Sequence, residues 1–216
     1  DAEFSPATSH DFFHIAATDQ FEQIYLPVIV ACMSQHAPGV HLQVSRWDPR
    51  YFISQLENGE IDMAVGVGRS PGVNIKEELL YEESFACMVR KRHPYLKSKR
   101  ALKDFIQYPY LLVSTGSEGR GPVDSRLAEK GLERKVLYRV SNFSSAPYIV
   151  AASDAILTAP RRFLEFSARG HEVEILEPPL KLPTFPLKIF WHAKDQEDPA
   201  RSWMRQVLLQ WARKVD

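Results

Sequence analysis

The 216-residue sequence predicts an α/β protein of two lobes joined by two crossing segments. From Phe12 onward, short apolar runs alternate with helix-length amphipathic segments, the pattern of parallel sheets covered by helices. The alternation is interrupted by a long extended segment, Leu79 to Val89, which ends in RKRHPYLKSKR, and then begins again. The last amphipathic segment carries Trp203, Met204, Val207, Leu208 and Trp211 on one stripe and follows a second lobe that is already complete. Its economical place is back on the first lobe, which makes the chain cross twice and leaves a cleft between lobes, where ligand sites concentrate.

Each element has a local reason. The first strand, Phe13 to Ala17, runs into Asp19-Gln20-Phe21-Glu22, an acidic cap with Glu three residues on, as in a capping box. Behind it, Phe21, Ile24, Tyr25, Val28, Ile29 and Cys32 make one helical stripe, with Pro27 predicting a kink or a late helix start. A strand at His41 to Val44 is followed by the helix start Asp48-Pro49, a helix stop at Gly59 and a buried strand at Ile61 to Val65. In the second lobe, strands are expected at Tyr110 to Val113, Val136 to Val140, Ala155 to Thr158 and Val173 to Leu176. Helices fit between them: Pro122 to Lys130 with a stop at Gly131, one starting near Ser144 or Ser145, and Pro160 to Arg169 with a stop at Gly170. After the proline-rich EPPLKLPTFPL come a strand at Lys188 to Trp191 and the closing helix behind Asp198-Pro199. Residues 1–11 read as a linker or expression remnant, 12–89 and 193–216 as lobe I, and 90–192 as lobe II.

Composition narrows the function. Lys plus Arg and Asp plus Glu each number 27, so no general excess of charge attracts phosphate or anionic lipid. Cys32 and Cys87 lie in apolar runs without a neighbouring ligand at metal spacing and read as reduced, buried thiols, which fits a cytoplasmic protein. No apolar run is long enough for a membrane span, and the acidic start DAEFSPATSHDFF is unlike a signal peptide. Neither metal nor cofactor is expected: His10 and His14 have helical pair spacing but lie where a strand begins, and GVGRSPG misses the dinucleotide spacing. There is no G-x-S-x-G elbow, so no catalytic residue is assigned.

Two junctions could bind a ligand. At Ala17-Thr18-Asp19-Gln20 the backbone N–H groups and positive helix end could hold a carboxylate, although simple capping, far commoner than ligand binding, also explains them. The loop Ser114-Thr115-Gly116-Ser117-Glu118-Gly119-Arg120-Gly121 supplies hydroxyls, amides and one guanidinium but lacks the lysine of a phosphate-binding loop. The basic residues Arg90, Lys91, Arg92, Lys97, Lys99 and Arg100 read as solvated surface.

The segment FHIAATDQFEQIYLPVIVACMSQHAPGVHLQV followed by LENGEIDMAVG resembles the start of the effector-binding domain of LysR-type transcription regulators. KRHPYL, SAPYIVAASDAILTAPRRF and KIFWHAKDQEDPARSWMRQVL resemble its later segments in order, so the likeness spans residues 12–215. LVSTGSEGRGPVD and Trp191-His192 are most similar to the branch of nodulation regulators and sensors of aromatic compounds. The resemblance implies two Rossmann-like lobes of the type II periplasmic-binding-protein kind, sensing a small anionic or aromatic effector in the inter-lobe cleft. It further implies a homodimer or tetramer, contact with DNA only through an N-terminal winged helix-turn-helix absent from this sequence, RNA polymerase as the downstream partner, and no membrane. The effector residues it implies are Thr18, Asp19, Gln20, Val67, Gly68, Ser114, Thr115, Arg120, Ser145, Ala146, Thr158 and His192. Arg120 stands where relatives that sense aromatics often have His, which would favour an anion, unless it pairs with Glu118. The helix along Tyr25 to Ala37 and that after Pro160 resemble the family's antiparallel dimer surfaces. A periplasmic solute-binding protein and a small α/β enzyme are the rival readings, separable by a secretion signal and by turnover.

Overall fold

The computed structural model describes residues 4–68, 72–114 and 121–214. The chain order is β1 (Phe12–Ala17), α1 (Asp19–His36), β2 (His41–Arg46), α2 (Phe52–Glu57), β3 (Met63–Gly66), β4 (Ile75–Glu83) and β5 (Phe85–Arg90). It continues with α3 (Leu102–Phe105), β6 (Pro109–Val113), α4 (Pro122–Ala128), β7 (Lys135–Val140), α5 (Ala146–Ala151) and β8 (Ile156–Pro160). The last elements are α6 (Arg161–Ser167), β9 (Val173–Leu176), β10 (Phe185–His192) and α7 (Pro199–Lys214). Two compact units result, Asp1–Glu82 with Pro186–Asp216, and Glu83–Phe185.

The first unit holds a five-stranded sheet in the order β2-β1-β3-β10-β4. β1 pairs parallel with β2 and β3, whereas β10 runs antiparallel to β3. β3 is buried along its length, as its apolar run requires, and α7 returns to pack on α1. Thr18, and not Asp19, is the N-cap of α1: its hydroxyl accepts the Phe21 N–H at 3.3 Å. The helix is neither late nor ended by Pro27, which is exposed, so water can replace the hydrogen bond that proline cannot make. Asp48-Pro49 forms a turn and α2 starts only at Phe52, because the Asp48 carboxylate is engaged with the backbone and guanidinium of Arg50. Cys32 is only half-buried, on the margin of the α1 stripe.

The second unit repeats the plan, with order β7-β6-β8-β5-β9, β6 parallel to β7 and β8, and β5 antiparallel to β8 and β9. Its strands and helices lie where hydrophobic runs and caps place them, and the stops at Gly59, Gly131 and Gly170 have φ of 70°, 66° and 86°. The crossing strands differ from expectation. β5, assigned by sequence to lobe I, pairs only with second-unit strands, and β10, assigned to lobe II, completes the first sheet. Each crossing strand hydrogen-bonds to the lobe it enters, so the junctions fall before β5 and at the start of β10 and not after residues 89 and 192. What was read as one extended segment is two strands, β4 and β5, broken at Ser84.

Candidate functional site

In both sheets parallel strands such as β1, β2, β7 and β8 are followed by helices, so their carboxyl ends gather helix starts and loop backbone. In the first unit, Thr18, Asp19 and Gln20 follow the end of β1, while Val67 and Gly68 follow the end of the adjacent β3. These five residues share one edge. His192 does not: Lys188 lies opposite Gly66 and Trp191 opposite Met63, which carries His192 past the amino end of β3. There its Nδ1 accepts the Lys194 N–H at 3.1 Å and caps a short 3-10 turn.

The start of α1 is already partly satisfied. Thr18 takes the Phe21 N–H, and the Asp19 and Glu22 carboxylates lie in the first turn. Burial, with Asp19 nearby, raises the Glu22 pKa above the usual carboxylate value. A further carboxylate is therefore less welcome here than a neutral or donating group. Sequence reasoning missed Trp47 at this edge. Its backbone N–H donates to Ala17 O at 2.8 Å, and its indole lies on Gly66 so closely that a Cβ there would come within 2.6 Å of Nε1. Only the coincidence of a tryptophan after one strand and a glycine ending another could have signalled it.

The second unit has a cavity of about 240 Å³ at the carboxyl ends of β6 and β8, closed by Phe85 at the start of β5 and by the start of α4. Two expected residues line it, Ser114 and Thr158, with Leu112, Val113 and Phe143 supplying apolar wall. The Ser114 N–H donates to Val140 O at 2.9 Å, and the Thr158 hydroxyl lies 3.2 Å from the Cys87 sulfur. Cys87 is fully buried, which pushes its thiol up to about 12, so it is inert. Ser145 and Ala146 are near but do not line the cavity. Ser145 is the N-cap residue of α5, its hydroxyl reaching back toward Asn142 O, and the Ala146 N–H donates to Phe143 O. Thr115 and Arg120 lie outside the described residues.

Among the described residues, the one charged group lining the cavity is Arg134, which sequence reasoning did not select. Its side chain is 3% exposed, bonds Asp124 through Nε and Nη2 at 2.7 and 2.9 Å, and stacks 5.2 Å from the centre of the Tyr110 ring. The hydrogen bonds from Arg134 hold the Asp124 carboxyl below its ordinary pKa of 3.8. The cavity thus offers a mostly apolar wall, two hydroxyls and a guanidinium whose charge is already balanced. Among the described residues no group of three or more His, Cys, Asp and Glu is placed to hold a metal ion, and no helix is long and apolar enough to cross a membrane.

A two-lobed α/β protein with a ligand-sized hollow at its strand ends belongs to the class of small-molecule receptors. Residues 10–213 match the family described as the LysR substrate binding domain, and the chain belongs to that family. The HTH-type transcriptional activator NagR of a Ralstonia species is 30% identical over 207 residues, which are 96% of this chain and 69% of that protein. Nodulation protein D 2 of Rhizobium tropici is 27% identical over 208 residues, 96% of this chain and 66% of that protein. Among solved structures, the regulatory domain of MexT, a transcriptional activator in Pseudomonas aeruginosa, superposes with a TM-score of 0.83 at 26% identity, covering 93% of this chain and 99% of that one. The effector binding domain of QuiR in complex with shikimate has a TM-score of 0.74 at 18% identity, covering 96% and 99%, a likeness of fold. The chain is therefore a substrate-binding domain of the LysR type of transcriptional regulators. That favours the regulator over the solute-binding protein, and the relatives are regulators, not enzymes.

Proposed function

We propose that this domain senses a compact organic acid, one ring or an equivalent aliphatic skeleton, seated in the cavity beside Ser114 and Thr158. The observation that carries the reading is the cavity itself. At about 240 Å³ it is smaller than the roughly 300–1,000 Å³ of drug-sized sites, and its wall is apolar with two hydroxyls. Thr18, Asp19, Gln20, Val67 and Gly68 are proposed as further effector contacts, Ser145 and Ala146 as support through Phe143, and Thr115 and Arg120 as the source of donors for the acid group. His192, capping its own turn at the other edge of the first sheet, is no longer put forward. The QuiR complex supports the general mode, a small acid held by this fold.

The HTH-type transcriptional activator among the relatives supports a regulator whose output is transcription; a cytoplasmic homodimer or tetramer acting with DNA and RNA polymerase is part of the same proposal. Binding would alter that output only through unequal affinity for two states of the assembly. A thermal-shift screen of aromatic and aliphatic acids tests the reading. A true effector at 100 times its Kd adds ~2.7 kcal/mol of stability. Thr158→Val and Arg120→Ala are expected to weaken a hit by roughly tenfold each, the loss of one good hydrogen bond to a charged or polar group. A hit whose affinity survives both changes removes the assignment.

A further inference from the structure

The amino-terminal edge of the second sheet, opposite its cavity, carries an unbalanced cluster of cations. The segment running from the end of β5 through α3 contains Arg90, Lys91, Arg92, Lys97, Lys99, Arg100 and Lys103. Two are neutralised locally, Arg90 by Asp154 and Lys91 by Glu172. The other five are exposed, and none makes a side-chain ion pair or hydrogen bond among the described residues. Asp104, the one acid inside the segment, is turned to the Ala101 N–H.

Backbone conformation singles out the same place. Among the described residues only two non-glycines have positive φ, Arg92 at 59° and Arg100 at 55°. Glycine or asparagine suits that left-handed region, yet both positions carry arginine, whose guanidinium has no partner among the described residues. At Arg100 the Ser98 hydroxyl accepts the backbone N–H at 3.0 Å and the Tyr95 hydroxyl donates to the carbonyl at 3.1 Å, so the turn that presents this exposed guanidinium is fixed by the protein's own hydrogen bonds.

We propose that this face makes sequence-independent contacts with the phosphate backbone of duplex DNA. The patch lacks what a protein partner would need: Tyr95 is buried and Leu96 half-buried, leaving no exposed aromatic or aliphatic anchor among the cations. It also lacks the exposed aromatic rings that stack single-stranded bases. Charge alone remains, the chemistry that suits a regular line of phosphates. A regulator of this family works beside a duplex, and the inference holds whichever effector the cavity takes. It also revises the reading of these residues as merely solvated.

The test is fluorescence anisotropy of a labelled random-sequence duplex titrated with this 216-residue chain across a salt series. The combined variant Lys97→Gln, Lys99→Gln, Lys103→Gln is expected to weaken binding roughly tenfold or more and to flatten the log–log salt slope by about 0.9 per lysine. Lys76→Gln, Lys181→Gln, Lys194→Gln, which removes as much charge elsewhere, should leave both almost unchanged. Arg92→Gly with Arg100→Gly should bind the duplex more weakly while its Tm stays level or rises, since glycine accepts that backbone. Equal losses in the two lysine variants, or a Tm drop that accounts for the glycine result, would overturn the proposal. So would binding of poly-glutamate with none of the duplex at low salt, which assigns the face to an acidic protein.

Discussion

Trp47 and Gly66 form a fitted pair at the edge where the first sheet meets its helix starts. A methyl group at 66 would enter the indole ring, so Gly66→Ala should destabilise by about 1–3 kcal/mol in urea unfolding. The double variant with Trp47→Leu should lose less than the sum of the two single changes. His93 is the second informative residue. It is wholly buried, its Nδ1 accepts the Tyr95 N–H at 3.0 Å, and its Nε2 therefore carries the proton toward Asp154 O at 3.1 Å. The Nδ1 bond requires the neutral ring, and burial lowers its pKa from 6.5. Above 6.5 neither folded nor unfolded chain protonates this site. As pH falls below 6.5 the unfolded chain takes up the proton first, and stability declines until the lower folded value is passed. Urea midpoints measured over that window should show the decline, and His93→Gln should lower stability at neutral pH while removing that slope.

At the scale of elements, Arg134 joins the approach to β7 to the start of α4 through Asp124, which also accepts the Gly121 N–H. Removing the acid strands a buried cation; removing the cation leaves an acid that is 25% exposed and can be hydrated. Asp124→Asn is therefore expected to cost about 3 kcal/mol, and Arg134→Met distinctly less, by chemical denaturation. Elements of this kind also mark where sequence reading succeeds. β6 to β9 and the helices between them announce themselves by apolar runs, caps and glycine stops, all local signals. α2 begins late because Asp48 spends its carboxylate on Arg50, a choice that the Asp-Pro pair does not reveal. The partners of β5 and β10 were hidden because a strand's own residues do not say which sheet it joins. His192 was misplaced for the same reason, since its edge depends on antiparallel register. Arg134 was passed over because the acid, the ring and the hydroxyls around it lie far apart in sequence, whereas Ser114 and Thr158 are visible as polar residues at strand ends.

Across the whole molecule, the second unit is one uninterrupted stretch, Glu83–Phe185, whereas the first needs both Asp1–Glu82 and Pro186–Asp216. The second sheet contains all its own strands, so residues 83–185 expressed alone should unfold in a single cooperative transition and retain the cavity. Residues 1–82 alone lack β10 and α7 and should give no such transition, by circular dichroism against temperature. An internal unit that folded only in the intact chain would contradict this.

The same threading sets an order of events at the ribosome. The opening strands emerge first yet cannot close their sheet until β10 has been made, while the later unit can finish as soon as its last strand clears the exit tunnel. At about 5–20 residues per second, the early segment waits on the order of ten seconds with β3 unpaired on one side. Translation speed through the middle of the message thus becomes a determinant of how much newborn protein is captured by chaperones.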